Sequence, residues 1–253
     1  MITGVGRIRG IGASIAAGLA ADGWDLVLSY WQAYDDRVGL QRGKDDPDQL
    51  AAELRQAGVK VELIPADLEA PAAAEGLVRR AADALGPLDA LVLSHCEGVD
   101  SGVLDTTVES FDRHYAVNVR ACWLLIAEFA RQLPISGGAV IAMTSDATVD
   151  NLPYGATKGA LDRLVLGAAH ELGDLRLRAN LINPGPVDTG WMDDQTRAAL
   201  TAMQPTGRLG TAADAANLVA SCFRSRVNGS TANCSTATGA SPQASFGSKE
   251  LPS

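Results

Sequence analysis

The chain has 253 residues, of which 47% are hydrophobic and 20% charged, and its formal net charge is −9. This length and composition are those of one large globular α/β domain. The acidic balance argues against nucleic acid as a partner, because phosphate binding needs a basic face and no such cluster of Lys and Arg occurs.

The cysteines and the apolar segments exclude further classes of protein. Cys96, Cys122, Cys222 and Cys234 do not have the spacing of metal ligands, so no metal site is predicted. No apolar run reaches the length of about 20 residues that a membrane-spanning helix needs, and no membrane partner is expected. Because no secretory signal is recognisable, we expect the protein in the cytoplasm.

The first residues form a glycine-rich turn that leads into a helix. Gly4 is followed by Gly10, Ile11 and Gly12, and an Ala-rich segment is predicted to be helical over residues 13–21. Glycines let the backbone approach a phosphate, and the helix N-terminus supplies N–H donors and a positive dipole. The turn therefore predicts a phosphate cradle. Few residues precede it, so a clipped first strand is expected.

Strand and helix then alternate along the chain. Strands are predicted over residues 25–30, 59–65, 90–93, 138–144 and 178–182, and helices over residues 48–57, 70–85, 110–133 and 154–172. This alternation predicts a single doubly wound parallel sheet with helices on both faces. In such a sheet, ligands bind at the carboxyl ends of the strands.

The candidate chemistry lies just after the strand at residues 138–144. Tyr154 precedes Lys158 by one helical turn, so the two side chains share a face of the helix. A phenol with a pKa of about 10 is a poor proton donor at neutral pH, but an ammonium one turn away lowers that pKa. Ser145 follows the end of the strand. Together the three residues predict proton transfer to a carbonyl oxygen.

Six motifs in order resemble those of the short-chain dehydrogenase/reductase family. They are the turn at residues 3–12, Asp67 after the third strand, Asn118, Ser145, Tyr154 with Lys158, and Pro184-Gly185 followed by Thr189. The resemblance covers residues 1–219 and is strongest to the 3-oxoacyl-acyl-carrier-protein reductase-like branch. It implies a Rossmann-like fold and an NAD(P)-dependent oxidoreductase.

The resemblance also implies a role for each residue. Tyr154 passes a proton to the carbonyl oxygen while the nicotinamide cofactor gives a hydride to the carbon. Lys158 holds the ribose and lowers the pKa of Tyr154, Ser145 binds the substrate oxygen, and Asn118 anchors a water that links Lys158 to solvent. Asp67 contacts the adenine, or alternatively caps the next helix. The full set of implied cofactor contacts is Gly4, Arg9, Gly10, Ile11, Gly12, Asp67, Leu68, Tyr154, Lys158, Pro184, Gly185 and Thr189.

Cofactor choice depends on the charges near the second strand. NAD-selective sites usually place an acid at its end, whereas NADP sites supply a cation for the extra phosphate. This strand ends in Tyr30 and Trp31, without an acid at that point. Arg9 directly precedes Gly10, where similar family members place a phosphate-binding Arg, and Arg7 is close by. We expect NADP(H) in preference to NAD(H).

The expected reaction is reduction of a 3-oxoacyl thioester or a similar ketone, or the reverse oxidation of an alcohol. A small cyclic or polyol ketone is the alternative substrate. A cofactor-binding protein with impaired turnover is the alternative from another class. A homodimer or homotetramer is expected from the resemblance.

The sequence departs from the family pattern at three internal places. Five residues separate Gly4 from Gly10, where the usual spacing is three. The usual Asn-Asn-Ala-Gly after the fourth strand is replaced by Ser94-His95-Cys96-Glu97. Ser145 precedes Tyr154 by nine residues, fewer than the family generally has. Thr144 and Thr148 are therefore alternatives to Ser145 as the substrate-binding hydroxyl.

The C-terminal segment departs most. From residue 221 the chain is rich in Ser, Thr, Ala and Gly without a strand pattern, where the family has a last strand and an Asp-Gly-Gly turn. Read in the neighbouring frame with permitted codons, residues 230–241 spell Val-Asn-Gly-Gln-Leu-Leu-Tyr-Ser-Asp-Gly-Gly-Phe, which contains the Asp-Gly-Gly motif. We therefore expect residues 1–220 to form the Rossmann-type NAD(P)-binding catalytic domain. Residues 221–253 are expected to be a disordered tail, produced by a frameshift near Ala220 and lacking the last strand.

Overall fold

The computed structural model describes residues 1–147, 151–224 and 234–236. The strands are β1 Ile2–Thr3, β2 Leu26–Tyr30, β3 Val61–Pro65, β4 Ala90–Leu93, β5 Gly138–Met143, β6 Leu177–Asn183 and β7 Cys234–Thr236. The helices are α1 Ile11–Ala21, α2 Gln32–Arg37, α3 Asp46–Arg55, α4 Pro71–Leu85, α5 Val108–Tyr115, α6 Ala121–Arg131, α7 Leu152–Glu171, α8 Asp194–Met203 and α9 Ala212–Arg224. A π-helical turn, Ala116–Arg120, joins α5 to α6, and a 3-10 turn, Gly173–Leu175, follows α7.

All the strands lie in one parallel sheet with the order β3-β2-β1-β4-β5-β6-β7. The predicted doubly wound fold is confirmed. The strand order reverses between β1 and β4, because the chain builds outward from β1 to β3 and then returns to the other side of β1. A crevice opens at such a switch point, outside the carboxyl ends of the strands.

The first strand is short, as the sequence predicted. It has two residues, yet it pairs on both sides, with Ile2 opposite Leu28 of β2 and opposite Val92 of β4. The glycine turn therefore begins at the centre of the sheet.

The expectation of a missing last strand is wrong. β7 pairs in parallel with β6, with Cys234 opposite Leu181 and Thr236 opposite Asn183. A strand of three residues is too short to show an alternating pattern in the sequence. Helix α9 also runs through residue 224, past the predicted domain end at residue 220. The other residues of the predicted tail, including most of the suspected frameshift segment, lie outside the described residues.

The core has one apolar layer on each face of the sheet. One layer packs α4, α6 and α7 against the strands, and the other packs α1, α3 and α9. In β5, Val140 belongs to the first layer and Ile141 to the second, so this strand is buried on both faces. Among the described residues, no helix is both long and apolar enough to cross a membrane.

Candidate active site

A cavity of about 480 Å³ opens at the carboxyl ends of β1, β2, β4 and β5. This volume lies within the usual range for small-molecule and cofactor sites. Of the predicted cofactor residues, the cavity is lined by Gly4, Gly10, Ile11, Gly12, Asp67, Leu68, Tyr154, Lys158, Pro184 and Thr189. The structure does not place Arg9 or Gly185 in its wall: Arg9 is exposed and its guanidinium lies beside Gly190.

The glycine turn is held in a conformation that only glycine tolerates. Gly4 has φ +76°, and a Cβ there would lie 2.6 Å from the backbone nitrogen of His95. A Cβ on Gly12 would lie 2.8 Å from the carbonyl oxygen of Gly4. Helix α1 begins at Ile11, two residues before the predicted start, so Gly12 lies in its first turn, which contains no acidic residue. The N-terminus of α1 therefore faces the cavity without a nearby acidic side chain of its own first turn, which suits the binding of an anion.

Asp67 and Leu68 lie where β3 ends. The Asp67 carboxylate accepts a hydrogen bond from the Glu69 backbone N–H at 3.0 Å, whereas the N-cap of α4 is Ala70. The alternative of a helix-capping Asp67 is therefore not what the structure shows. Asp67 forms a local turn on the cavity wall instead.

Tyr154 and Lys158 lie on the first two turns of α7. The helix begins at Leu152, two residues before the predicted start, with Pro153 in its first turn. Lys158 Nζ lies 5.4 Å from the Tyr154 ring centroid and donates a hydrogen bond to the Met143 carbonyl at 2.8 Å. The ammonium is thus fixed between the end of β5 and the tyrosine ring.

Ser145 reaches Tyr154 despite the short connection. It is half-buried, its hydroxyl accepts a hydrogen bond from the Ala147 N–H at 3.1 Å, and hydrogen bonding by Ser145 lowers the pKa of the Tyr154 phenol. Thr144 is buried, and its hydroxyl donates to the Asp162 carboxylate. Thr144 is therefore engaged away from Tyr154, and Thr148 lies outside the described residues.

Comparison with known proteins identifies the family. The profile of the family described as "Enoyl-(Acyl carrier protein) reductase" matches residues 4–235. The uncharacterized oxidoreductase YjdA of Bacillus subtilis is 33% identical over 227 residues, 87% of each chain. A short-chain dehydrogenase from Burkholderia cenocepacia, solved with NADP, superposes with a TM-score of 0.82 and 28% identity over 93% of this chain and 94% of that one. The chain belongs to the short-chain dehydrogenase/reductase family.

A second solved structure of similar shape also holds a nicotinamide cofactor. It is a blue fluorescent protein from a metagenomic library, in complex with NADPH, with a TM-score of 0.82 and 28% identity over 93% of this chain and 95% of that one. The expected class of enzyme, a short-chain oxidoreductase, is confirmed by these matches.

Asn118 is buried in the π-helical turn and forms hydrogen bonds with Glu97 and Thr157. Its Oδ1 accepts from the Glu97 N–H at 2.8 Å, and its Nδ2 donates to the Glu97 carbonyl at 2.9 Å and to Thr157 Oγ1 at 3.0 Å. The side chain therefore ties the loop after β4 to α7. The predicted water-anchoring role of Asn118 in this family stays a prediction.

The pKa of Tyr154 differs in direction from the sequence expectation. Burial raises it above its ordinary value, while Lys158 and the Ser145 hydrogen bond lower it, and burial is the larger effect. For Lys158, burial lowers the pKa, but the neighbouring Tyr154, Cys96, Cys122 and Asp162 outweigh it and raise the net value. Lys158 thus keeps its charge although it is buried, and it opposes the effect of burial on Tyr154.

Two charged pairs in the cavity wall were not predicted from the sequence. Asp35 is buried and pairs with Arg7, whose Nε lies 3.1 Å from Oδ1. Glu97 is buried and pairs with Arg37 at 2.6 Å. Asp35 and Arg37 belong to α2, the helix directly after β2, and so lie beyond Tyr30 and Trp31, the residues from which the cofactor preference was predicted. Glu97 stands where the family motif ends in Gly. This departure from the motif is the sequence feature that could have identified Glu97 as a residue of the site.

In the described parts of the chain, no three side chains of His, Cys, Asp or Glu are grouped so that they could hold a metal ion.

Proposed function

We propose that the protein is an NADP(H)-dependent carbonyl reductase or alcohol dehydrogenase. One observation carries the proposal: Tyr154 and Lys158 line the same cavity as the glycine turn, with the Lys158 ammonium 5.4 Å from the Tyr154 ring centroid. Proton-transfer groups and a phosphate cradle in one cavity are what reversible carbonyl reduction by a nicotinamide cofactor requires.

The residues present fit a dinucleotide. Gly4 and Gly12 let the turn pack closely on the loop after β4 and on itself, because a Cβ at either position would collide with backbone atoms. The first turn of α1 carries no acid that would repel a pyrophosphate. Two similar structures were solved with NADPH or NADP, which supports NADP(H) as the preferred cofactor. NAD(H) is the alternative, because the Asp35 carboxylate in the wall could accept from a ribose hydroxyl.

In this proposal the chain supplies the proton and the orientation. Tyr154 donates its proton to the carbonyl oxygen, and Ser145 holds that oxygen by a hydrogen bond. Lys158, fixed by the Met143 carbonyl, stabilises the phenolate that remains, and it would also hold the ribose of a bound cofactor. Asn118 holds the loop after β4 against α7 by hydrogen bonds to Glu97 and Thr157. The bound nicotinamide supplies the hydride that the carbonyl carbon receives.

The substrate that we propose is a 3-oxoacyl thioester or a similar ketone, and a small cyclic or polyol ketone is the alternative. The support for the first is the sequence resemblance to the reductase-like branch. A protein that binds the cofactor with impaired turnover is the remaining alternative. The intact Tyr154 and Lys158 pair favours turnover over mere binding. The cytoplasmic location expected from the sequence stays a prediction.

The test is NADPH oxidation by the full chain with a panel of 3-oxoacyl thioesters, cyclic ketones and polyol ketones. Wild type should turn over one class, and Tyr154→Phe should lose roughly 10²- to 10⁴-fold in turnover with little change in cofactor affinity. Cofactor binding without turnover of any ketone would support the binding-protein alternative. Activity within a few-fold in Tyr154→Phe would remove Tyr154 from the role of acid.

We further infer a homodimer or homotetramer. Phe111 and Tyr115 of α5 and Trp123 of α6 are exposed by 37%, 50% and 54%. Aromatic side chains are enriched at the centres of protein interfaces, so this surface suits a second copy of the chain. Light scattering of wild type and of Trp123→Ser tests the inference: the variant should be smaller, and a monomeric wild type would contradict it.

A further inference from the structure

An ion pair joins the two walls of the cavity. Arg37, at the end of α2, donates from Nη2 to both carboxylate oxygens of Glu97 at 2.7 and 2.6 Å. The two residues are 60 positions apart, one after β2 and the other after β4. The Glu97 side chain is 4% exposed and that of Arg37 is 39% exposed. The pair therefore bridges the cleft with its carboxylate inside and its guanidinium partly in solvent.

A second contact extends this bridge toward the reacting groups. Tyr34 of α2 donates its hydroxyl to the Gly98 carbonyl at 3.2 Å, and the Arg37 guanidinium carbon lies 5.5 Å from the Tyr34 ring centroid. A Cβ on Gly98 would lie 3.6 Å from the Tyr154 ring. The segment from Tyr34 to Arg37 thus spans the cavity from its outer edge to the catalytic side.

The other cations of the cavity wall have separate tasks. In the described part of the chain, the wall contains Arg7, Arg37, Arg113 and Lys158. Arg7 is fixed by the Asp35 carboxylate and by the Thr189 carbonyl, and Lys158 lies at Tyr154.

Arg113 is paired with Glu69, which follows β3. Arg37 is the cation on the helix that follows β2, and that is where a dinucleotide fold meets the 2′ position of the adenosine ribose.

We propose that Arg37 is the residue that selects NADP(H) over NAD(H), and that in the free chain Glu97 holds it in place of the cofactor's 2′-phosphate. The inference rests on the proposed function. Carboxylate and phosphate are both oxyanions that accept two parallel hydrogen bonds from one guanidinium, so one can replace the other. Glu97 then competes with the phosphate, because losing Arg37 leaves a buried carboxylate without its partner.

If Glu97 competes with the 2′-phosphate for Arg37, removing the Glu97 charge should strengthen NADPH binding and removing the Arg37 charge should weaken it. Glu97→Gln removes the competing charge but keeps the size of the side chain, so binding of NADPH should tighten by roughly 10-fold. The double variant Arg37→Gln/Glu97→Gln removes the guanidinium without leaving an unpaired acid. Relative to Glu97→Gln, it should bind NADPH roughly 10- to 100-fold more weakly, the value of a charge-assisted hydrogen bond. NADH binding should change by less than about 2-fold in both variants.

Calorimetric titration of the full chain measures these affinities without turnover. NADPH and NADH are compared, and 2′,5′-ADP is compared with 5′-ADP so that the phosphate is probed without the nicotinamide. Arg42→Gln is the matched control, since Arg42 pairs with Asp36 in the same segment but does not line the cavity. The ratio of its NADPH affinity to its NADH affinity should equal that of wild type. Thermal melts check that every variant is folded.

Three results would overturn the proposal. Equal changes in NADPH and NADH affinity in the Arg37 and Glu97 variants would make the pair a brace for the fold. A selective loss of NADPH in Arg9→Gln, with no such loss in the double variant, would move the selecting role to Arg9. A wild-type chain that binds neither cofactor would overturn the proposed function itself and this inference with it.

Discussion

Nδ1 of His95 lies 2.6 Å from the hydroxyl of Thr3, the last residue of β1. The other ring nitrogen, Nε2, lies 3.1 Å from the Val117 carbonyl in the π-helical turn. A carbonyl only accepts, so Nε2 carries the proton and Nδ1 accepts from Thr3. One neutral imidazole therefore joins the central strand, the loop after β4 and the turn that carries Asn118.

The π-helical turn makes this connection possible. The Ala121 N–H bonds to the Ala116 carbonyl, one residue farther back than in an α-helix. The Val117 carbonyl consequently does not receive that N–H and accepts from His95 instead. His95 stands in the segment where the family motif has Asn-Asn-Ala-Gly, so the central strand is braced here by an imidazole.

The first prediction concerns acid stability. Burial, with Lys158 as the second cause, lowers the pKa of His95 from 6.5 to about 3. Between these values the unfolded chain binds a proton that the folded chain does not. Stability therefore falls as the pH drops below 6.5, by about 1.4 kcal/mol per pH unit.

His95→Gln cannot titrate and should lack this contribution. From pH 7 to pH 5, urea unfolding of wild type should lose about 2 kcal/mol more than that of the variant. The comparison uses only the change in unfolding free energy between pH 7 and pH 5. A lower stability of the variant at pH 7 therefore does not affect the result. Parallel losses in both proteins would show that His95 is not neutral when buried.

The second prediction separates crowding from backbone strain in the glycine turn. Gly4 and Gly23 both have positive φ, at +76° and +84°. A Cβ on Gly23 meets nothing within 4 Å, whereas one on Gly4 meets backbone atoms of Ser94 and His95. Gly23→Ala should cost about 1 to 2 kcal/mol from the left-handed conformation alone.

Gly4→Ala should cost clearly more than Gly23→Ala in urea unfolding and should also abolish NADPH binding. Gly23→Ala should leave that binding unchanged, because it lies at the end of α1 away from the cavity. A Gly4→Ala protein as stable as Gly23→Ala would mean that the loop after β4 can move aside.

What the sequence could predict is what local spacing determines. Tyr154 and Lys158 meet because four residues make about one helical turn, and the strands were recognisable because runs such as Leu26–Tyr30 are apolar on both faces. Burial was not visible in the same way. The sequence shows the ammonium that lowers the pKa of Tyr154 but not the surroundings that raise it.

Contacts between distant segments could not be predicted. Arg37 meets Glu97 only because the loops after β2 and β4 face each other across the cleft, and no local pattern reports that. Arg9 illustrates the reverse case: its position before Gly10 suggested a phosphate ligand, but its side chain is exposed, lies beside Gly190 and does not line the cavity.

The third prediction concerns Lys158→Met, which removes the ammonium but keeps an apolar stem. Burial raises the pKa of Tyr154, and Lys158 and Ser145 lower it. Without the Lys158 ammonium, only Ser145 opposes the effect of burial, so the pKa of the phenol should rise further. Turnover should fall by roughly 10²-fold or more, the pH optimum should move to higher pH, and NADPH should bind more weakly. Lys60→Met, at an exposed lysine, is the control. Unchanged turnover and affinity in Lys158→Met would exclude both roles.

The last prediction concerns the edge of the sheet. β7 covers β6 by pairing with Leu181, Ile182 and Asn183. A chain ending after Arg224 lacks β7 and leaves the N–H and C=O groups of β6 unpaired at an open edge, which invites self-association. Loss of a few ladder hydrogen bonds at about 0.5 to 1.5 kcal/mol each should lower the melting temperature by roughly 2 to 10 °C.

A chain ending after Thr236 is the matched control, because it keeps β7. It should melt higher than the shorter chain and should scatter light as a smaller, defined particle. If the two chains have the same melting temperature and the same particle size, β7 contributes nothing to the fold.

Replacing residues 230–241 by the neighbouring-frame segment then tests the frameshift: that chain should melt higher than the chain as written, since the family's Asp-Gly-Gly turn would be restored after the last strand.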